Sequence, residues 1–261
     1  MSLPDPTPRG ALWRGVQRWR GVVIIAIMAA ITLWLAASGQ LVLYIHPRYI
    51  VFTVIMAVIA VVASVAAVAS PRHHDDEGMP LPARRSRAVG LAAAGVAAAF
   101  TLGMVVIPPA TLSTATAEQR EINATASDDA ETLAEVSSAD AATVANFTVR
   151  EWSTVLRQTS DLAFFDGKPA TGLLGFVTAD ADDPDSMFYV SRFAVTCCAV
   201  DAQPLGVPVY LPGWADVYPP DTWVQVSGQF ESNPSRSSTT PIVLIPDTVE
   251  AVDQPSEPYL F

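Results

Sequence analysis

Two cysteines stand side by side in this chain, Cys197 and Cys198, and they are its only ones. Thiolates bind soft metals and take part in thiol–disulfide exchange. Asp201, three residues on, adds an oxygen donor, and Arg192 just upstream is placed to neutralise a thiolate or to pair with Asp201. Neighbouring cysteines can join each other only through a strained ring, so a vicinal disulfide would be unusual and reducible. Three other arrangements stay open. The pair can form a soft-metal or redox site, a bond to a partner's cysteine, or two buried thiols on opposite faces of one strand. Two thiolates do not fill a tetrahedral zinc shell, so the metal reading needs Asp201, another carboxylate or a partner chain. A thiol oxidoreductase is the weaker variant, because no Cys-x-x-Cys helix start is present.

The elements that must hold these residues read as strands. Gly172–Thr178, Met187–Thr196, Val207–Leu211, Thr222–Phe230 and Pro241–Val249 are short runs rich in Val, Phe, Tyr, Trp and Leu. Turn residues bound them, among them Asp182-Asp183-Pro184-Asp185, Pro212-Gly213 and Asn233-Pro234. Five strands, with Gly172 and Gly175 early in the first, predict a small all-β domain, an OB-like barrel, over residues 146–261. A short sandwich is the competing fold. Before the strands, Trp152, Val155 and Leu156 recur at helical spacing within Thr148–Thr159 and predict one short amphipathic helix without a capping box.

Residues 1–108 have a different character and predict a membrane α-helical part. Gly21–Tyr44, Tyr49–Ser70 and Ala88–Ile107 each contain no Asp, Glu, Lys or Arg, and each has the roughly 20 residues needed to cross a bilayer. Three transmembrane helices are expected, the first an uncleaved anchor rather than a signal peptide. The third is rich in Gly and Ala, which permits close helix packing. Between the first two, Tyr44-Ile45-His46-Pro47-Arg48-Tyr49 predicts a tight turn with interfacial tyrosines; Pro47 is expected to end one helix and open the next. His46 reads as a turn residue before it reads as a ligand. His73 and His74 beside Asp75, Asp76 and Glu77 have metal-like chemistry, but the surrounding Pro71, Gly78, Pro80 and Pro82 make that stretch a polar linker.

Charge sets the orientation. Arg9, Arg14, Arg18 and Arg20 precede the first stretch, and Arg72, Arg84, Arg85 and Arg87 lie between the second and third. The positive-inside rule then places the N-terminus in the cytoplasm and everything after Ile107 outside the cell membrane. Residues 109–145, rich in Ala, Thr, Ser and acids, are expected to form an extracytoplasmic linker. Beyond Ile107 lie 22 of the 26 acidic residues but only six of the 15 basic ones, a net of −16. Such a surface keeps a domain soluble and disfavours nucleic acid and anionic lipid surfaces. No histidine follows His74, and neither a phosphate-binding glycine loop nor a dinucleotide fingerprint occurs. The chain is therefore expected not to be an enzyme.

Three patches carry a resemblance. They are the turn Gly39–Arg48 with Tyr-Ile-His-Pro-Arg, the run Asp166-Gly167-Lys168 leading to Gly175-Phe176-Val177, and Arg192-Phe193 through Cys197-Cys198 to Asp201-Ala202-Gln203-Pro204. Trp223-Val224 and Gly228 continue it. In these the chain resembles the YcgQ-like family of uncharacterised bacterial membrane proteins over most of its length, departing from the family's usual alanine at Val200. The resemblance implies one subunit of a two-gene system whose partner is a multi-span permease. It also implies that Cys197, Cys198 and Asp201 are the residues that matter, with Arg192 in support. From this follows the expected function, an accessory subunit whose outer domain captures or senses a soft metal or metalloid. The competing class is a structural or sensory envelope protein with buried structural cysteines.

Overall fold

The computed structural model describes residues 8–69, 111–124 and 138–261, with single positions at 95, 99, 103 and 136. The chain divides into two compact units, Met1–Ala110 and Thr111–Phe261.

In the first unit, helix α1 spans Pro8–Ala37 and helix α2 spans Pro47–Ala69, with a 3-10 turn at Gln40–Leu43 between them. Pro47–Ala67 is strongly apolar after Arg48 and, at 21 residues, reaches about 32 Å, the thickness of a hydrocarbon core. Val51, Phe52, Ile55, Ile59, Val62 and Val65 are exposed along one broad face of it, a surface suited to lipid and not to water. The first expected span is shorter than its apolar composition suggests. Its apolar helix runs only over Gly21–Ala37. Gly39 adopts a left-handed conformation (φ 73°) that a glycine tolerates and that stops a helix. Pro47 thus opens the second helix but does not end the first. The described residues carry one helix both long and apolar enough to cross, with a shorter apolar stretch in α1, and not three spans; the third stretch, Ala88–Ile107, falls almost wholly outside them, as does the His73–Glu77 cluster.

The second unit is built on one six-stranded sheet: β1 (Ala170–Ala179), β2 (Met187–Ala194), β3 (Gln203–Tyr210), β4 (Trp223–Ser232), β5 (Ile242–Ala251) and β6 (Tyr259–Leu260). Strand β1 pairs antiparallel with both β2 and β4, β2 with β3, and β4 with β5, while β3 and β5 run parallel through Val209 and Leu244. The pairings therefore return to their start. Two glycines make the bends. Gly172 takes φ 62° at a register shift in β1, and a Cβ on Gly228, at the shift in β4, would overlap the Ile245 carbonyl.

Leu173, Val177, Phe188, Val190, Val207, Val224, Val226 and Leu244 fill the interior. Helix α3 (Val149–Gln158) lays Trp152 and Val155 against it, fully buried, with the Trp152 ring 4.7 Å from that of Phe230. The expected missing capping box is in fact present. The Thr148 hydroxyl accepts from the Arg150 N–H, and Glu151, three residues past Thr148, accepts from the Thr148 N–H at 2.7 Å.

The described parts of the segment expected to be a linker belong to the second unit. Residues 111–124 pack on the second unit, and Val136 and Val144 join its core. Thr114 donates its N–H to Asp221 and its hydroxyl to the Val177 carbonyl. Asn123, at φ 64°, pairs like an extra strand residue: its amide donates to the Gly206 carbonyl and accepts from the Gly206 N–H, both at 2.9 Å. Short polar side chains thus add to the anchoring that the burial of Ala117, Val136 and Val144 provides.

Candidate metal centre

The loop between β2 and β3 carries the two cysteines. Strand β2 ends at Ala194, paired with Gln203, so the residues between form the connection. The buried-thiol arrangement on a strand is therefore corrected: Cys197 is exposed, Cys198 is half-buried, and neither lies in a strand. One carboxylate shapes the loop. Asp201 accepts the Thr196 N–H at 3.1 Å on one oxygen and the Cys197 and Cys198 N–H groups at 2.7 and 3.3 Å on the other. Its own N–H returns to the Cys198 carbonyl at 3.0 Å. Three successive backbone donors converging on one anion form a nest, here filled from within the chain.

This hub brings both sulfurs to the same side. Cys197 Sγ and Cys198 Sγ lie 3.5 Å apart as free thiols. One donor atom from each of Cys197, Cys198 and Asp201 falls within 4.8 Å of the others. The Asp201 carboxylate, and after it the Cys198 sulfur, holds the Cys197 thiol protonated and pushes its pKa up to about 12. Desolvation works against ionisation of Asp201, but the Cys197 thiol and the three backbone N–H groups outweigh it and lower its pKa. At rest the site is thus a thiol donating to a carboxylate. An ion that binds here displaces that proton.

Arg192 does something else. Its guanidinium donates to the carbonyls of Glu257, Pro258 and Tyr259 and faces the Trp223 ring at 5.8 Å. Burial lowers its pKa, with the Glu257 charge opposing. Its expected pairing with Asp201 is replaced by a clamp that holds β6 alongside β2, and the Leu260 carbonyl of β6 then accepts from Val195 at the root of the cysteine loop. Arg192 positions the loop without touching it. His46 lies in the other unit, where its Nδ1 accepts from the Arg48 N–H at 3.1 Å and its ring meets Tyr49 edge-on.

Sequence reasoning passed over Arg120. Its Nη2 donates to the Val200 carbonyl at 3.2 Å, inside the cysteine loop, while its Nη1 is buried without a hydrogen-bond partner. The available signal was its isolation: no other basic residue occurs between Arg87 and Arg150.

A unit with one helix long and apolar enough to cross a membrane, followed by a β unit with a thiol–carboxylate loop, defines the class of protein. The particular family follows from its domains. The chain belongs to the DUF1980 family: residues 20–123 match the DUF1980 N-terminal domain and residues 121–261 the DUF1980 C-terminal domain. The two matches meet at the stretch where Asn123 is anchored to β3. No curated protein and no solved structure matches the chain.

Proposed function

We propose that this chain is an accessory subunit of a membrane permease complex, and that its β unit captures a thiophilic metal or metalloid at Cys197, Cys198 and Asp201. One observation carries the reading: two free thiols and a carboxylate gathered within 4.8 Å at an accessible loop. The closed circuit of strand pairing supports an OB-like barrel as the scaffold, since that topology leaves its loops free to hold ligands. The arginine distribution supports a multi-pass chain with a cytoplasmic N-terminus and an extracytoplasmic β unit. The apolar outer surface of α2 suits burial in lipid or against a multi-span partner.

The test uses full-length protein in detergent. Reduced protein is titrated with zinc, copper(I) and arsenite, with free thiols and bound ion counted by mass spectrometry after alkylation. Stoichiometric binding that protects both thiols, and is lost in Cys197→Ser, is the expected result. A second reading, a structural or sensory envelope protein, draws on the three N–H bonds to Asp201, which build a well-ordered loop without any ligand. No protection by any of the ions would select that reading.

A further inference from the structure

Resting on the capture reading above, we infer that the cysteine loop is built for a divalent cation of the zinc class, held by two sulfurs and one oxygen, with a fourth position left open for a donor from outside the chain. The sulfur spacing is the first argument. With metal–sulfur bonds of about 2.3 Å, sulfurs 3.5 Å apart subtend about 100° at the ion, near the tetrahedral value, whereas a linear two-thiolate ion needs them about 4.6 Å apart. The loop also resists spreading, because the N–H groups of both cysteines are tied to one carboxylate and the Cys198 carbonyl to the Asp201 N–H.

The third donor lies on the same side as the thiols, so the three form one face of a coordination shell. An ionised carboxylate has about four lone-pair sites. The Thr196, Cys197 and Cys198 N–H groups take three, leaving one for an ion in place of the Cys197 thiol proton. Asp201 can thus ligate without releasing the loop. A linear ion would leave the carboxylate unused.

Charge points the same way. Two thiolates and a carboxylate carry three negative charges, so a divalent ion leaves one, and the Arg120 guanidinium bound at Val200 supplies the opposing charge. The excess of 22 acidic over six basic residues beyond Ile107 favours a cation over a neutral metalloid hydroxide. Among the described residues, the metal-suited group consists of these three alone, too few to close a zinc shell. An ion with one exchangeable position is held as in catalytic zinc sites, open to an incoming ligand, and not as in closed structural ones. Such a site can hand its ion on.

Full-length protein, reduced and in detergent, is loaded with zinc or cadmium at one equivalent and studied by X-ray absorption. Two sulfur and at least one oxygen neighbour per ion are expected, with both thiols protected. Cys198→Ser should leave one sulfur neighbour and lose stoichiometric binding. Four sulfur neighbours per ion would overturn the inference by showing an ion bridging two copies. It would also fall if copper(I) protected both thiols in a linear two-sulfur site while zinc and cadmium protected neither, yet capture itself would stand. Protection by no ion would remove the capture reading and this inference with it. Because Cys197 is exposed and Cys198 only half-buried, an unchanged thermal transition in each serine variant separates lost binding from lost fold.

Discussion

Strand β2 is bracketed by two loops organised in the same way, and their difference isolates what is unusual about the second. Before β2, the Asp180 carboxylate accepts the N–H groups of Asp182 and Asp183 at 3.0 and 2.8 Å. After β2, Asp201 accepts those of Thr196, Cys197 and Cys198. Asp180 is buried and its turn is locked further: Ser235 donates to Asp183, and the Trp214 indole donates to the Pro184 carbonyl. The Asp201 loop is more open and has two thiols where the first has Asp, Pro and Ser side chains. A carboxylate collecting backbone donors is ordinary turn construction. Thiols delivered to its rim are not needed for a turn, so they are the part of the loop that calls for a chemical explanation.

Mutations should split the two loops along that line. Asp180→Ala removes a buried acceptor and leaves two N–H groups unpaired, and is expected to cost about 2–3 kcal/mol, read as a fall in the thermal midpoint. Asp201→Ala exposes its N–H groups to water, which can satisfy them, so a cost of about 1 kcal/mol is expected in the same measurement. Equal costs would mean that both loops are purely structural. Asp201→Asn tests the chemistry. It removes the negative charge and one of the two oxygens that hold the Cys197 proton, so the thiol pKa should fall from about 12 toward its ordinary 9.0. Iodoacetamide labelling of Cys197 at pH 8 should then accelerate on the order of tenfold, the gain in thiolate being partly offset by its lower nucleophilicity. An unchanged rate would show that the carboxylate does not control the thiol.

How far the sequence could be read depended on what ordered each element. Strands β1 to β5 were legible because burial orders them, and burial writes Val, Phe and Trp runs between turn residues. Strand β6 was not: it has two residues, and its place is set from β2 by Arg192 reaching three backbone carbonyls. Residues 111–124 escaped for a similar reason, since paired hydrogen bonds at Thr114 and Asn123 dock them. The cysteine pair stood out by rarity alone. Its geometry did not, because alternation along an assumed strand sends neighbouring side chains to opposite faces, while an Asp201 turn folds both sulfurs to one. Arg192 was expected to pair with a thiolate or Asp201 and instead donates to backbone carbonyls, as charge pairing in sequence does not foresee a guanidinium satisfied in that way.

The two loops should also differ, more gently, in their response to pH. A thiol whose pKa is raised in the folded state favours the protonated form there, so its contribution is fully present below the unfolded value near 9.0 and fades as pH rises toward about 12. Asp201 has a lowered pKa, so its contribution is present above the unfolded value of 3.8 and is lost as pH falls further. The cysteine loop is thus best held between these limits. Hydrogen exchange of the Thr196, Cys197 and Cys198 amides, corrected for the intrinsic pH dependence, should show protection falling on both sides, while the alkaline loss vanishes in Cys197→Ser. The smallest effect belongs to Cys198→Ala: with the backbone donors and Asp201 untouched, its stability should stay within about 0.5 kcal/mol of the parent. A larger loss would place Cys198 among the groups that hold the loop together and narrow the contrast with Asp180. A change this small, beside lost ion binding, would show that the thiols serve an ion and not the fold.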